Sequence, residues 1–489
     1  MAALSPVPSM EDLNIKFQES SLIFPYKETP KKLIFLSNID QILNYNIPTA
    51  HFFKANPDFP PETVAERLRT ALEKVLVPYD FMAGRLKLNR ELGRLEIDCN
   101  AAGAGFVVAK SDVSLDEIGG ENLVCPNLGY RQLAVQRLDN LPPEVDQPLC
   151  VFQVTSFKCG GFAIGMSTNH ILFDGLGAKV FLLNLASQSF ENKPLAILPY
   201  NDRRILAARS PPHVSFPHPE FLKFDLPVGP GSTPPKFDCI IEELDFKIFK
   251  LNTTQISHLK DDITKNSKIE RISTLAVVAA LIWRCKAFSD DKNRVSTLLN
   301  VIDIRPRVKP PLPYSYSANA VLPLGVLETC DEIKNGPFSK LVEIITEGAK
   351  EMTHEYVKSA FDWLELNRGI PHGDYMVSSW LRLGFDEVEY AWGKPMYSCP
   401  VLHLLWDQNT HRLGPVNKRG AAVGEFRRAR RGGGGGGGLP LENFSNALLL
   451  MSKSANIETT YENYWSIPNS SIHTHAHFNS TNSFKFVSL

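Results

Sequence analysis

The stretch GFAIGMSTNHILFDGLGA, residues 161–178, decides how this chain folds. It begins as a short apolar run, which is typical of a buried strand. The run breaks at Asn169 and His170, and Asp174 with Gly175 predicts a turn. An apolar helical segment follows at 178–186. The sequence therefore predicts a strand, a turn and a helix that hold His170 at a rigid strand end.

His170 and Asp174 admit two interpretations on the residues alone. In the first, Asp174 caps the helix and His170 only hydrogen-bonds at the strand end. In the second, a near-neutral His170 is the general base that takes a proton from a hydroxyl or amine as it attacks an acyl carbonyl. Asp174 would then orient a partner or neutralise an arginine.

Composition excludes several classes of protein. The chain has 489 residues, 43% of them hydrophobic and 21% charged, and a formal net charge of −1. Such a chain is typically globular and has no general attraction for nucleic acid or an anionic membrane. Residues 1–19 lack the apolar core of a signal peptide, no stretch has the roughly 20 apolar residues of a membrane span, and the eight cysteines contain no C-x-x-C pair. We therefore expect a cytoplasmic protein without a cysteine-based metal site. We also expect a monomer with no bound metal or cofactor.

The length predicts more than one domain. Prolines cluster in 199–236, which predicts a crossover linker between an N-terminal domain, 1–198, and a C-terminal domain, 237–405. Residues 406–489 differ in kind, because they combine a basic run with seven consecutive glycines at 432–438. This composition predicts disorder over most of 410–489.

Periodicity predicts the main elements of both halves. Amphipathic spacing predicts a helix over 62–76, and an apolar run predicts a helix that Ser273 caps. Strands are predicted at 149–157, which would pair with the run at 161–168, and at 397–405. The pattern therefore predicts an α/β fold for both halves.

Several motifs stand in a characteristic order around His170. The chain resembles the plant BAHD acyl-CoA-dependent acyltransferases over roughly residues 10–405. The resemblance rests on HILFDG at 170–175 and on AGRL at 83–86, ALIWRC at 280–285, DIRPR at 303–307, PPLP at 310–313, SANA at 317–320, SSW at 378–380 and WGKP at 392–395.

The resemblance implies a fold and a set of residue roles. The family fold has two α/β domains of the chloramphenicol-acetyltransferase kind, with mixed sheets flanked by helices and the active-site channel between the domains. His170 would be the general base, Asp174 a structural partner of Arg305, and Trp380 an oxyanion donor, since an indole N–H can only donate. By the same resemblance Ser378, Asn319 and Phe173 are candidate substrate contacts, and Asp303, Arg305, Trp392 and Gly393 are candidate structural residues.

Two departures from the family pattern concern the C-terminal half. EYAWG at 389–393 stands where the family has DFGWG, and Ala391 would be strained if its position required a positive φ. Beyond about Val401 the usual closing strands give way to the Arg/Gly-rich tail. If that tail is native, the second domain is incomplete and activity is in doubt.

The resemblance implies transfer of an acyl group from coenzyme A, as a co-substrate, to an alcohol. The segment 170–178 is most similar to the branch that transfers hydroxycinnamoyl groups, such as feruloyl or caffeoyl, to long-chain hydroxy fatty acids or fatty alcohols. Two alternatives remain open: transfer to a small polar acceptor, and a non-catalytic family member that assists fatty-acid elongation.

Overall fold

The computed structural model describes residues 12–223, 253–380 and 383–401, apart from short gaps at 121–122, 124–126, 143, 268, 270 and 288–290. The predicted disorder of 410–489 and the later part of the predicted linker, 224–236, lie outside the described residues. The described residues form strands and helices in both halves of the chain.

The strands are β1 Ile15–Ile23, β2 Leu33–Phe35, β3 Asn46–Phe53, β4 Arg85–Asn89, β5 Arg94–Asp98, β6 Ala104–Ser111, β7 Cys150–Ser156, β8 Phe162–Asn169, β9 Phe221–Leu222, β10 Val295–Asp303, β11 Val321–Thr329, β12 Ile370–Pro371, β13 Tyr375–Val377 and β14 Tyr397–Pro400. The helices are α1 Asn38–Ile42, α2 Pro61–Val75, α3 Gly175–Ser189, α4 Thr253–Asn266, α5 Thr274–Lys286, α6 Cys330–Asn335, α7 Phe338–Glu351 and α8 His354–Asn367. Short 3₁₀ turns also occur, including one at Arg203–Leu206.

A six-stranded mixed sheet organises the first half, in the order β1-β6-β7-β8-β3-β14. Only β6 and β7 pair in parallel; the other neighbours are antiparallel. The predicted pairing of β7 with β8 is confirmed, with Phe152 opposite Met166. All eight residues of β8 are buried, including the polar Ser167, Thr168 and Asn169 at its end.

Helices α2 and α3 cover one face of this sheet. Val64, Leu68 and Leu72 of α2 pack with Phe181 and Leu185 of α3 and with apolar side chains of the sheet. Burial stabilises the fold by about 1.5–3 kcal/mol for each fully buried aliphatic or aromatic side chain of this core. The end of β8 is therefore attached to a well-stabilised core.

The second half is built on a smaller sheet, β11-β10-β13, packed against helices. Ser273 caps α5 as predicted, since its hydroxyl accepts from the N–H of Ala276 at 2.9 Å. Trp283 of α5 is fully buried and donates its indole N–H to Ser296. The β10–β11 hairpin of this sheet ends at Asp303 and Val321, which are paired.

Two short elements join the halves. Strand β14 was predicted together with the second half, yet it pairs with β3 of the first sheet over Tyr397–Pro400. It covers the edge that β3 would otherwise expose. Helix α1, which periodicity did not predict, places Ile39 in the core of the second half and lies at the junction of the halves.

Candidate active site

His170 follows the last residue of β8 and lies half-buried in a tight turn. Its backbone N–H donates to the carbonyl of Tyr45 at 2.7 Å, and the Tyr45 ring lies edge-on to the imidazole at 5.5 Å between centroids. The turn is closed by Asn169, whose side-chain oxygen accepts from the N–H of Ile171 at 3.0 Å. The imidazole is thus held by the sheet and by the segment that precedes β3.

Asp174 is turned into the protein, where both carboxylate oxygens are fully engaged. Oδ1 accepts from the N–H of Gly177 and from Nη2 of Arg305, each at 2.9 Å. Oδ2 accepts from Nη1 of Arg305 at 2.9 Å and from the N–H of Ala320 at 2.8 Å. This bidentate pair has no remaining lone pair to offer His170. Asp174 therefore acts here as a helix cap and a bridge between the halves.

Burial alone would raise the pKa of Asp174, but the Arg305 guanidinium and the two backbone donors outweigh it and lower that pKa. Arg305 is itself buried, and it also donates to Asp303 at 3.0 Å and to the carbonyls of Tyr316 and Ala318. The ion pair is consequently well satisfied, which is the condition under which two buried charges are tolerated. Gly177 allows the start of α3 to approach Ser317 closely, since a Cβ at residue 177 would lie 2.9 Å from the carbonyl oxygen of Ser317.

The backbone carbonyls that follow His170 are held by two side chains from elsewhere in the chain. Nδ2 of Asn319 donates to the carbonyl of His170 at 2.8 Å. Arg203 donates from Nη1 to the carbonyl of Ile171 at 2.7 Å and from Nη2 to that of Leu172 at 2.8 Å. The turn therefore has fixed donors on three consecutive carbonyl oxygens, at residues 170, 171 and 172.

The sequence reasoning missed Arg203, and it proposed Asn319 only as a substrate contact. Asn319 is fully buried, and its amide nitrogen is committed to the turn, so that only Oδ1 is left to meet a substrate. No local pattern marks Arg203, which stands in the proline-rich segment 33 residues beyond His170. Asn319 was found only through the SANA motif.

The imidazole of His170 is poised in its neutral form. Burial of the ring lowers its pKa, because desolvation penalises the charged form. The backbone of His170 itself, Asp174, the Asn319 side chain and Asp40 each oppose that shift without reversing it. Nδ1 is buried and has no hydrogen-bond partner among the described residues, so Nε2 is the nitrogen that a reactant can approach. A neutral imidazole with an approachable Nε2 can act as a general base near neutral pH.

The remaining candidate substrate contacts have different environments. Phe173 is 4% exposed and stacks on Phe181 at 5.8 Å, so most of its ring is used in the core. Ser378 and Trp380 follow β13 and are both partly buried. The Trp380 ring packs edge-on against Phe385 at 5.2 Å. Contacts of these side chains with substrate remain predictions.

Trp392 and Gly393 lie in a tight turn against the first sheet. Trp392 stacks on Tyr390 at 5.0 Å and meets Phe53 edge-on at 6.4 Å. Gly393 has a φ of +111°, and its N–H and carbonyl both bond to Tyr390. Ala391 does not have a positive φ, so the strain that its replacement of a glycine could cause is absent. Its N–H instead donates to the Ser189 hydroxyl at 2.9 Å.

Comparison with known proteins identifies the family. The family model described as "Transferase family" matches residues 13–420. The chain belongs to the BAHD acyltransferase family. It is 52% identical over 409 residues to acyltransferase GLAUCE of Arabidopsis thaliana, with 82% of this chain and 89% of that protein covered. It is 33% identical to omega-hydroxypalmitate O-feruloyl transferase of the same plant, with 80% and 84% covered.

Solved structures show the same fold. Vinorine synthase superposes with a TM-score of 0.60 at 22% identity, covering 79% of this chain and 89% of its own. TRI101 of F. graminearum, complexed with coenzyme A and T-2 mycotoxin, superposes with a TM-score of 0.61 at 16% identity, covering 76% and 89%. The predicted α/β architecture of mixed sheets flanked by helices is therefore confirmed.

Family membership makes this BAHD protein an acyl-CoA-dependent O-acyltransferase, with acyl-CoA as its co-substrate. None of the helices in the described part of the chain is long and apolar enough to cross a membrane. The division into domains at 198 and 237 stays a prediction.

Proposed function

We propose that this BAHD acyltransferase moves a hydroxycinnamoyl group from coenzyme A to the hydroxyl of a long-chain hydroxy fatty acid or fatty alcohol, with His170 as general base. The observation that carries the chemistry is the imidazole itself: it is held on a rigid turn with its pKa lowered and Nε2 approachable. Asp174 is withdrawn from it into the Arg305 pair.

The proposed reaction is a direct transfer. Nε2 of His170 takes the proton of the acceptor hydroxyl as the oxygen attacks the thioester carbonyl. In this proposal the indole N–H of Trp380 donates to the oxyanion of the tetrahedral intermediate, which suits an indole because it can only donate. Ser378 would contact the substrate beside it. Collapse of the intermediate breaks the carbon–sulfur bond, and the imidazolium returns its proton to the coenzyme A thiolate. The products are an ester and free coenzyme A.

The proposed substrates rest on relatives, not on geometry. The Arabidopsis feruloyl transferase is named for omega-hydroxypalmitate, and a second Arabidopsis relative, 30% identical, is named fatty alcohol:caffeoyl-CoA acyltransferase. A small polar acceptor is the rival within this chemistry, since shikimate O-hydroxycinnamoyltransferase of Nicotiana tabacum is 31% identical over 404 residues. A non-catalytic role is the rival from another class, and the intact His170 turn favours catalysis over it.

An acceptor panel separates these readings. The full-length protein is offered feruloyl-CoA and caffeoyl-CoA with 16-hydroxypalmitate, a long-chain alcohol or shikimate, and esters are measured by mass spectrometry. We expect ester with the long-chain acceptors and little with shikimate. Preference for shikimate would replace the proposed acceptor by the polar one. Turnover with no pair, in a protein that retains its folded structure, would favour the non-catalytic reading.

A further inference from the structure

Asp40 is a fully buried carboxylate in the middle of α1, and it contacts both side chains that donate to the carbonyls of the His170 turn. Its Oδ2 accepts from the N–H and the hydroxyl of Ser37, both at 2.9 Å, and lies 3.2 Å from Nη1 of Arg203. Its Oδ1 accepts from Nδ2 of Asn319 at 2.8 Å. A buried carboxylate is costly unless its oxygens are occupied in this way.

The contact with Asp40 settles which way the Asn319 amide points. Nδ2 meets acceptors only, namely Oδ1 of Asp40 and the carbonyls of His170 and Ile171. Because an amide oxygen cannot donate to a carboxylate, the flipped orientation would set acceptor against acceptor. Oδ1 of Asn319 is left without a partner among the described residues, and so is Nδ1 of His170.

Asp40 also orients Arg203, the second side chain that donates to the carbonyls of the turn. Arg203 is 2% exposed, and its Nη1 lies between Asp40 and the Ile171 carbonyl while Nη2 reaches the Leu172 carbonyl. Fixed fork geometry means that holding one nitrogen holds the other. The same carboxylate therefore touches both side chains that donate to the carbonyls of residues 170–172.

We propose that Asp40 is a positioning residue for acyl transfer: through Asn319 and Arg203 it fixes the carbonyls of residues 170–172 and thereby the imidazole of His170. The inference rests on the proposed role of His170 as the base. Because Asp40 is fully buried, it acts on the reaction through the two side chains it holds.

The charges around the imidazole affect the pKa of His170, and a residue that only stabilised the fold would not change that pKa. His170 is faced by the carboxylates of Asp40 on α1 and Asp174 at the start of α3, with Arg203 and Arg305 as their partners. Tyr45, edge-on to the ring, stays neutral because burial raises its pKa. Both carboxylates raise the pKa of His170 against the larger effect of burial. Loss of the Asp40 charge therefore lowers the pKa of His170 further.

The test compares Asp40→Asn with Asp362→Asn in the full-length protein. Asp362 is also fully buried and ion-paired, to Nε of Arg209 at 2.5 Å, but it anchors the crossover segment to α8. Asp40→Asn is expected to lower kcat about 10- to 100-fold, as a slightly misplaced base would, with KM for acyl-CoA little changed. Asp362→Asn is expected to lose stability and to keep the kcat of its folded fraction.

A second readout does not need turnover. Diethyl pyrocarbonate modifies the neutral imidazole, so the pH dependence of modification at His170, read by peptide mass spectrometry, reports its pKa. The half-point is expected at lower pH in Asp40→Asn than in wild type, and unchanged in Asp362→Asn. If wild type shows no turnover, the proposed function fails while this readout still decides the role of Asp40. An unchanged half-point in folded Asp40→Asn would overturn the proposal.

Arg203→Lys covers the case in which Asp40→Asn does not fold. Lysine keeps the charge beside Asp40 but cannot donate to two carbonyls in a fixed fork. We expect kcat to fall several-fold, with the modification half-point of His170 near its wild-type value. A wild-type kcat in Arg203→Lys would contradict the proposal that Asp40 acts on His170 through Arg203 and the turn.

Discussion

Asp174→Asn separates a structural carboxylate from one that takes part in proton transfer. The substitution keeps the shape of the side chain but replaces one oxygen by an amide nitrogen. Each oxygen now accepts one backbone N–H and one nitrogen of Arg305. The new amide would therefore set a donor against two donors, and Arg305 would keep only the partly exposed Asp303 as a counter-charge among the described residues.

The size of the effect follows from burial. Asp174 and Arg305 are each 3% exposed, and removal of one partner from such a pair costs about 3–5 kcal/mol. That is a large part of the 5–15 kcal/mol that stabilises a typical protein. The double variant Asp174→Asn with Arg305→Gln leaves no unpaired charge at these two buried positions, so we expect it to be more stable than the sum of the two single effects predicts.

The assay is urea unfolding followed by tryptophan fluorescence, with kcat measured on the folded fraction of each variant. We expect a large loss of stability in both single variants, partial recovery in the double, and a kcat for Asp174→Asn within about tenfold of wild type; general-base removal typically costs about 10²–10⁴-fold. Unchanged stability together with a loss of kcat equal to that of His170→Ala would refute the structural assignment.

Three further predictions concern one side chain each, namely His170, His51 and Ser359. Because burial lowers the pKa of His170, kcat/KM should rise with pH to a plateau whose half-point lies below the usual 6.5; a half-point well above 6.5 would contradict this. His51 is buried between Thr49 and Ser398, and burial lowers its pKa to about 4. The contribution of the buried neutral His51 to the free energy of unfolding should therefore be fully present above pH 6.5 and fall by about 3 kcal/mol as the pH falls towards 4. His51→Gln should remove this acid-induced loss of stability when urea unfolding is measured at both pH values. The Ser359 hydroxyl accepts from the N–H groups of Ser215 and Phe216 and lies 2.8 Å from Nε2 of His218. Ser359→Ala should therefore speed proteolysis within residues 207–223 of the predicted crossover linker, and an unchanged cleavage pattern would count against this anchor.

The core of the candidate site could be predicted from the sequence because its signals are local. An apolar run ends at His170, and Asp174 stands where a helix begins, so the strand, the turn and the cap could all be predicted. Helix α1 carried a local signal that periodicity missed: Ser37 and Asp40 form a capping box, each side chain bonding the backbone of the other.

The rest of the site depends on contacts between distant residues. Arg203 meets the turn from 31 and 32 residues away, and Asn319 from 149. The pairing of β14 with β3 joins residues about 350 positions apart, and a four-residue strand cannot indicate its partner. Asp174 and Arg305, 131 residues apart, were linked only through the family motif. Tertiary packing decides such contacts, and composition and periodicity do not record it.

The most direct test of the account is release of free coenzyme A by wild type and by His170→Gln, which keeps a polar side chain on the turn. With feruloyl-CoA and a long-chain hydroxy acid, thiol titration should show steady release by wild type and a rate lower by about 10²–10⁴-fold in His170→Gln at equal folded concentration. Equal rates in the two proteins would contradict the assignment of His170 as the general base.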